Sequence, residues 1–121
     1  MTLGAAAALA LLIVGASLST TAGSNPDADA DGVVDLVDNC LGKKNNVNDQ
    51  GWQNDCDLDG FGDECDGDFN NSGVVNITDY ILFGASFNKS HGGAGWNACA
   101  DMNASGTVNI TDYILFGGQF N

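Results

Sequence analysis

Asp68-Phe-Asn-Asn-Ser-Gly-Val-Val-Asn-Ile-Thr-Asp79 is the stretch that decides the fold, because it joins a twelve-residue loop frame to the start of an apolar segment. The frame D-x-[DN]-x-[DS]-G-x-x-[DN]-x-x-D occurs four times, starting at Asp27, Asp55, Asp68 and Asp101. Oxygen-bearing side chains at positions 1, 3, 5, 9 and 12, with glycine at position 6 for a sharp left-handed turn, let one short segment surround a hard cation. We therefore predict four calcium loops, named loops 1 to 4 in chain order.

The acidic residues of the chain are concentrated in these frames. Of the 16 acidic residues, 14 lie at predicted ligand positions, and only Asp49 and Glu64 lie outside them. The formal net charge is −13, and clustered carboxylates repel one another unless cations bind. Four calcium ions, which carry a charge of +8, would reduce the net charge to −5. A single frame could be an ordinary solvated loop, but four frames in one chain favour metal binding.

The N-terminal segment has the composition of an export signal. Residues 1–26 carry no charged side chain, and residues 3–18 are almost entirely apolar. This stretch is short for a membrane-spanning helix, and Thr20, Thr21 and Ala22 supply the small residues that a signal peptidase requires. We expect residues 1–22 to be a signal peptide and the protein to be secreted or at the cell surface. An uncleaved membrane anchor is the alternative, and it is the only membrane contact that we expect.

The four cysteines, Cys40, Cys56, Cys65 and Cys99, are an even set in an apparently exported chain. None of them has the paired spacing of a zinc site, so disulfides are the better interpretation. The sequence alone leaves the pairing open. A chain of this size has a marginal hydrophobic core, for which metals and disulfides commonly compensate.

Residues 27–66, the acidic half, contain loops 1 and 2 joined by an Asn-rich connector with little apolar periodicity. Because this half has few large apolar residues, their burial cannot offset the conformational entropy lost on folding. We therefore expect this half to be ordered by ions and cross-links and largely disordered without calcium. Each loop would bind through five carboxylates and the backbone carbonyl of position 7. The predicted ligands are Asp27, Asp29, Asp31, Val33, Asp35 and Asp38 in loop 1, and Asp55, Asp57, Asp59, Phe61, Asp63 and Asp66 in loop 2.

This half resembles the thrombospondin type 3 repeat, through Asp27-Ala-Asp-Ala-Asp-Gly, Asp38-Asn-Cys40 and Asp57-Leu-Asp-Gly-Phe-Gly-Asp-Glu-Cys-Asp66. The resemblance implies a Cys40–Cys65 disulfide and leaves Cys56 for Cys99. Cys56 lies inside a loop where the family usually has no cysteine, and the connector is longer than usual. Pairing of Cys40 with Cys56 and of Cys65 with Cys99 is therefore the alternative. We place a domain boundary between residues 23–66 and residues 67–121.

Residues 67–121, the duplicated half, contain a tandem repeat with a period of 33 residues. Residues 74–88 and 107–121 are identical at 12 of 15 positions. Each copy runs from a loop into an apolar stretch, residues 77–86 or 110–119, in which Ile, Tyr and Phe recur at helical spacing. We predict two short helices that pack as an antiparallel, pseudo-twofold pair, because neither is long enough to be stable alone. Two short strands are the alternative.

The duplicated half resembles a type I dockerin, a family in which two calcium loops each lead into a helix, as in half of an EF-hand. The resemblance implies ligands at loop positions 1, 3, 5, 7, 9 and 12, with Val75 and Val108 facing each other between the loops. The implied ligands are Asp68, Asn70, Ser72, Val74, Asn76 and Asp79 in loop 3, and Asp101, Asn103, Ser105, Thr107, Asn109 and Asp112 in loop 4. With two carboxylates per ion, loops 3 and 4 should bind calcium more weakly than loops 1 and 2.

The helices lack the residues with which dockerins typically hold a cohesin. Positions 10 and 11 are Ile-Thr in both copies, and neither helix contains Lys or Arg. We expect instead an apolar partner surface. Its predicted residues are Ile77, Tyr80, Phe83, Ile110, Tyr113 and Phe116.

The overall prediction is a small, mainly irregular and α-helical protein, with acidic loops stapled by calcium and disulfides before two loop-helix repeats. We expect a secreted, non-catalytic interaction or spacer module that binds about four calcium ions. A cohesin-docking dockerin and a self-associating subunit of a surface layer or fibre are the alternatives. An enzyme is not expected, because His91 is the only histidine and the acids serve as ligands. Nucleic acid is not expected as a partner, because three Lys and no Arg cannot offset a phosphate backbone.

Overall fold

The computed structural model describes residues 25–45 and 53–120. Two helices lie within these ranges, α1 at Ile77–Ser86 and α2 at Ile110–Gly117, and the described residues contain no strand. An isolated antiparallel bridge joins Ser90 to Thr107. No helix among the described residues is long and apolar enough to cross a membrane. The predicted signal or anchor segment, residues 1–22, lies outside the described residues.

Both helices begin at an asparagine in position 9 of a loop. The side chain of Asn76 accepts a hydrogen bond from the Thr78 backbone, and the side chain of Asp79 accepts one from the backbone N–H of Asn76. Asn109 and Asp112 form the same capping box at the start of α2. A capping box satisfies backbone donors that the first turn of a helix leaves free. These contacts confirm the predicted helices and exclude the strand alternative.

Helix α1 has the predicted bounds, whereas α2 ends two residues before the predicted Gln119. The difference follows from the sequence, because α2 ends in Gly117-Gly118 where α1 has Gly84-Ala85. Glycine loses more conformational entropy than alanine when it enters a helix, so a second glycine favours termination. Gly118 is the C-cap of α2.

The hydrophobic core lies in the duplicated half and is largely aromatic. Its buried members are Phe83, Ala100, Met102, Val108 and Phe116. The rings of Phe83 and Phe116 stack with centroids 5.4 Å apart. Val75 and Trp96 pack against this cluster from its edge.

The contacts between the two helices are reciprocal under the 33-residue repeat. Tyr80 contacts Phe116 at 6.4 Å between ring centroids, and the equivalent pair, Tyr113 and Phe83, is 6.0 Å apart. Such exchange of equivalent contacts is what a twofold pair would produce. The antiparallel crossing of the helices stays a prediction.

Two disulfides join Cys40 to Cys65 and Cys56 to Cys99. This is the pairing that the thrombospondin resemblance implied, and it excludes the alternative pairing and a zinc site made of the four cysteines. The Cys56–Cys99 bond attaches loop 2 to the segment just before loop 4, and the two cysteines have a sequence separation of 43. It therefore links the acidic half to the duplicated half.

A second junction between the halves lies at Gly67, which is buried. A β-carbon at this position would lie 3.1 Å from the Phe116 ring and 3.3 Å from a methyl group of Val75. The Gln119 side chain also donates a hydrogen bond of 3.2 Å to the backbone carbonyl of Glu64. The boundary between the halves therefore packs on the aromatic core at Gly67, and Gln119 links it to Glu64.

Candidate metal centres and docking face

The four predicted loops have the same backbone conformation. The glycine at position 6 has positive φ in every loop, between 85° and 100°. The residue at position 4 is also left-handed in every loop, with φ between 53° and 63°, although it is never glycine. These position-4 residues are Ala30, Leu58, Asn71 and Ala104. L-residues rarely adopt this conformation outside tight turns, so its fourfold recurrence shows one shared loop design.

The aspartate at position 1 organises each loop. In loop 1, the two carboxylate oxygens of Asp27 accept hydrogen bonds from the backbones of Asp31 and Gly32, at 3.2 and 3.0 Å. In loop 4, Asp101 accepts from Ser105 and Gly106 at 3.0 and 2.7 Å. The same bonds from positions 5 and 6 occur in loops 2 and 3. The position-1 carboxylate therefore holds the loop closed around a centre.

Loops 1 and 2 each bring three carboxylates together. One oxygen from each of Asp27, Asp29 and Asp31 lies within 4.8 Å of the others, and the equivalent oxygens of loop 2 do the same. The loop 2 members are Asp55, Asp57 and Asp59. Like charges at this separation repel strongly unless a cation lies between them. The arrangement fits a calcium ion, which prefers carboxylate oxygens.

Three carboxylate oxygens at ligand positions are buried and accept no hydrogen bond. They are Oδ2 of Asp29, Oδ2 of Asp38 and Oδ1 of Asp79. A buried carboxylate oxygen without a partner is costly. These oxygens lie at positions 3 and 12 of loop 1 and position 12 of loop 3, so a cation in each loop would satisfy them.

In loops 3 and 4, the helix cap fixes the last ligand. One oxygen of Asp79 accepts a hydrogen bond from the Asn76 backbone, at 2.9 Å, and the other is the unpartnered Oδ1. Asp79 and Asp112 are completely buried. The side chain of Asn76 caps α1 and also donates to the carbonyl of Val74, a predicted ligand. The residue that begins the helix is thus the residue that would bind the ion.

The carboxyl groups differ in how strongly they hold protons. Burial raises the pKa of Asp63 and of Asp66, both in loop 2, to about 6. Burial also raises the pKa of Asp112 in loop 4. Burial acts against ionisation of Asp68, but hydrogen bonds from the backbones of Ser72 and Gly73 outweigh it and lower its pKa. Without a cation, the ionised form of the carboxyl groups is therefore least favourable in loop 2.

A cluster of buried and half-buried side-chain amides lies beside loop 1 and was not predicted. Asn39, Asn45 and Gln53, here called the amide cluster, hydrogen-bond to one another at 2.7 to 3.0 Å. Asn45 is completely buried. Its position in an Asn-rich connector gave no signal, because neither hydrophobic period nor charge marks it. Among the described residues, the acidic half thus has a polar centre in place of an apolar core.

The predicted partner surface requires a correction. Phe83 and Phe116 are only 2% and 1% exposed, because their rings stack on each other in the core. They cannot form the outer contact layer. Ile77, Tyr80, Ile110 and Tyr113 are 42% to 62% exposed, as a partner surface requires. Ile81 and Ile114, which were not predicted, are also exposed; their places in the repeat could have identified them.

Two apolar grooves lie on this face. The first, of about 310 Å³, is lined by Tyr80, Phe83, Gly84, Phe87, Ile110 and Tyr113. The second, of about 430 Å³, is lined by Tyr113, Phe116, Gly117, Phe120, Ile77 and Tyr80. Each residue of one groove is the repeat equivalent of a residue in the other. The buried phenylalanines form the floors, and Tyr80 and Tyr113 belong to both grooves.

The other residues considered at the sequence level have structural roles. His91 is exposed, and its ring meets that of Trp96 edge-on at 4.8 Å. Trp96 packs against the hydrophobic core, as a structural residue would. His91 and Trp96 line a cleft between loops 2 and 4 together with Asp55 and Asp101. Both aspartates are predicted calcium ligands.

Comparison with known proteins identifies the duplicated half. Residues 66–119 match the family model for the dockerin type I domain. A solved structure described as a type II cohesin-dockerin domain from Bacteroides cellolosolvens is 33% identical, and the match covers 46% of this chain and 82% of that chain at a TM-score of 0.39. A TM-score this low does not by itself establish a common fold. The curated proteins include no match to the sequence. The loop frames, the capped helices and the family match together show that residues 66–119 are a dockerin type I domain, a non-catalytic module for protein interaction.

Proposed function

We propose that this protein is a secreted docking module that is folded by four calcium ions and binds a cohesin-type receptor through its duplicated half. The observation that carries this proposal is the pair of equivalent apolar grooves on a domain of the dockerin family. Dockerin domains bind cohesin partners, and the similar solved structure is described as a cohesin-dockerin domain. The acidic half would serve as a calcium-stiffened spacer fixed to the docking domain by the Cys56–Cys99 disulfide.

Calcium is the proposed ligand of all four loops. Dockerin type I domains bind calcium, which supports loops 3 and 4. Loops 1 and 2 share the backbone conformation of those loops and carry more carboxylates, five each, which supports the same ligand. The unpartnered oxygens of Asp29, Asp38 and Asp79 are the atoms that a cation would engage first. We retain the assignment of residues 27–66 to the thrombospondin type 3 class as part of this proposal.

The docking face favours an apolar partner surface. Within α1 and α2 the only charged side chains are Asp79 and Asp112, and both are completely buried. A partner that placed a charge at the centre of this face would lose its hydration without gaining a counter-charge. If the partner bound in the opposite orientation, Ile110 and Tyr113 from α2 would contact the partner groups that Ile77 and Tyr80 from α1 contact in the first. The two grooves therefore offer the same chemistry in two orientations.

Binding to purified type I and type II cohesins, measured by calorimetry with calcium and with a chelator, tests the proposal. We expect calcium-dependent binding to at least one type. Ile77→Ser and Ile110→Ser each remove one wall of a single groove, so each alone should weaken binding less than tenfold. The double variant should weaken binding at least a hundredfold, because both grooves are then impaired.

Leu36→Ser is the matched control, because Leu36 is 91% exposed and lies in the acidic half. It should leave cohesin binding unchanged. Absence of binding to every cohesin in calcium would overturn the receptor assignment, as would a double variant that binds like the wild type. Growth of particle size on adding calcium, measured by light scattering, would instead identify a self-associating surface-layer or fibre subunit.

A further inference from the structure

The amide cluster has a well-defined internal structure. The Nδ2 of Asn45 donates to Oδ1 of Asn39 at 2.7 Å, and the Nε2 of Gln53 donates to Oδ1 of Asn45 at 2.7 Å. The backbone N–H of Asn39 donates to Oε1 of Gln53 at 2.8 Å. The backbone N–H of Gln53 donates to the carbonyl of Asn45 at 3.0 Å. Each side chain is therefore held at both its oxygen and its nitrogen, which fixes its orientation.

The cluster contacts two predicted ligands of loop 1. The backbone N–H of Asn45 donates to Oδ2 of Asp31 at 3.0 Å, and Nε2 of Gln53 donates to Oδ1 of Asp38 at 2.9 Å. Asp31 and Asp38 occupy positions 5 and 12 of the loop. The cluster thus holds the middle and the end of loop 1 from outside, through residues that lie 14 and 15 positions further along the chain.

The contact from Gln53 determines which oxygen of Asp38 is available. Oδ1 of Asp38 accepts from Gln53 and from the backbone of Cys40, at 2.9 Å each. Oδ2 is buried and has no hydrogen-bond partner. Two donors on one oxygen lock the carboxylate rotamer and leave the other oxygen for a cation. In loops 2 and 3, the position-12 carboxylate instead accepts from a backbone N–H within its own or the next loop.

We propose that Asn45 and Gln53 are positioning residues that set the calcium affinity of loop 1. The inference rests on the proposed binding of calcium by this loop. Hydrogen bonds from outside the ligand shell orient the ligands, and their loss typically lowers metal affinity by about 10- to 100-fold. Asn45 and Gln53, although they lie outside the loop frame, then belong to the first metal centre.

Gln53→Met in the oxidised full chain tests the inference, because methionine keeps the length of the side chain and removes its hydrogen bonds. Calcium is titrated while the backbone amides of the position-6 glycines are followed in ¹H–¹⁵N spectra. Gly32, Gly60, Gly73 and Gly106 report on loops 1 to 4, since the amide of each donates to the position-1 carboxylate of its own loop. We expect the midpoint for Gly32 to rise 10- to 100-fold, with the other three within about twofold.

Gln53→Glu is the second variant. It keeps the oxygen that accepts from Asn39, removes the donor and places a carboxylate against Asp38, so the midpoint for Gly32 should rise further. Gln119→Met is the matched control, because the Gln119 amide donates to Glu64, away from loop 1. It should not change the midpoint for Gly32.

The outcomes separate the inference from the proposed function. If the Gly32 amide of the wild type does not respond to calcium, loop 1 is not a calcium site and that part of the proposed function fails. If Gly32 responds at the same midpoint in the wild type and both variants, loop 1 binds calcium but the positioning role is wrong. Equal weakening at Gly32 and Gly60 would also overturn the inference, since it would mean that the cluster only supports folding of the acidic half.

Discussion

The two halves of the molecule contain the same calcium loop but surround it with different interiors. In the duplicated half, loops 3 and 4 lead into helices whose phenylalanines stack in an aromatic core. In the described part of the acidic half, loops 1 and 2 surround a disulfide and three amide side chains. Two of their large apolar residues, Leu36 and Leu58, are 91% and 85% exposed. One loop design can therefore be stabilised by hydrophobic burial or by hydrogen bonds and cross-links.

The half that lacks an apolar core carries more carboxylates in each loop. The half without an apolar core has five carboxylates in each loop, and the half with one has two. More carboxylates bind calcium more strongly but repel one another more in its absence. The fold of the acidic half should therefore depend more on calcium than the fold of the duplicated half, and five experiments test this difference.

Removing calcium should have the largest effect. Each site that is filled at a thousandfold excess over its Kd stabilises the fold by about 4 kcal/mol. After chelation at neutral pH, hydrogen exchange should show complete loss of protection at the Gly62 amide, which bonds to Asn39 in the acidic half. The Val108 amide, which bonds to Lys89 beside the aromatic core, should keep measurable protection. Equal loss at both amides would remove the distinction between the halves.

Phe116→Ala should have the next largest effect, and only through the duplicated half. Truncating a buried phenylalanine typically costs about 3–5 kcal/mol, because it removes buried area and leaves a cavity. Leu58→Ala in the acidic half should change stability by less than about 0.5 kcal/mol, because Leu58 is 85% exposed. Urea unfolding of the calcium-loaded protein measures both. A large cost for Leu58→Ala would indicate an apolar core in the acidic half.

Replacing both cysteines of the Cys56–Cys99 bond with serine should cost about 4 kcal/mol, by the loop-entropy estimate for a cross-link of this span. Because this bond joins the halves, the variant should also show a larger radius of gyration in small-angle scattering. The matched control replaces Cys40 and Cys65 with serine, which should cost slightly less, about 3.5 kcal/mol. The control should disturb the acidic half without separating it from the other. Identical scattering from both variants would mean that Gly67 and Gln119 suffice to hold the halves together.

Lowering the pH should weaken loop 2 more than loop 3. Calcium binds the ionised carboxylate, and the pKa values of Asp63 and Asp66 are raised to about 6, so affinity falls as the pH drops through 6. At pH 5 the loss should be roughly tenfold for each such carboxyl. The pKa of Asp68 in loop 3 is lowered, so its ionisation resists acid. Calcium midpoints at Gly60 and Gly73 at pH 7 and pH 5 measure the difference.

The same pKa shifts predict an opposite trend for the calcium-free protein. A carboxyl whose pKa rises on folding binds its proton more tightly in the folded chain than in the unfolded chain. The contribution of Asp63 and Asp66 to stability is therefore greatest below their unfolded value of 3.8 and is lost as the pH rises through about 6. In protein stripped of calcium, the Gly62 amide should have a higher hydrogen-exchange protection factor at pH 4.5 than at pH 7. A calcium-free protein that is more stable at pH 7 would contradict these shifts.

The sequence predicts local features of this molecule better than its long-range contacts. The loop frames located the left-handed glycines, and apolar periodicity located α1 at its observed bounds, because both depend on neighbouring residues. Periodicity identified the apolar side of each helix but not the way in which two helices meet. Phe83 and Phe116 were therefore assigned to the outer surface, whereas they stack with each other.

The amide cluster was missed for a related reason. Asn45 and Gln53 lie eight residues apart in the connector and meet only when the chain folds back on loop 1. Asparagine and glutamine are usual in polar loops, so their composition does not distinguish a buried amide from a solvated one. The left-handed conformation at Leu58 was also unforeseen, because a leucine gives no sign of positive φ.

The two disulfides together have a consequence for tension. A spacer that connects a load to a receptor is pulled from its ends. Cys40 is bonded to Cys65, and Cys56 is bonded to Cys99. Under such a force the shortest covalent path from Cys40 to Cys99 runs through both bonds and only the few residues between Cys56 and Cys65. That path can lengthen to roughly 40 Å, whereas the chain from Cys40 to Cys99 without disulfides could reach about 200 Å. Loop 3 and α1 lie outside this path, so tension applied between Cys40 and Cys99 would not extend them.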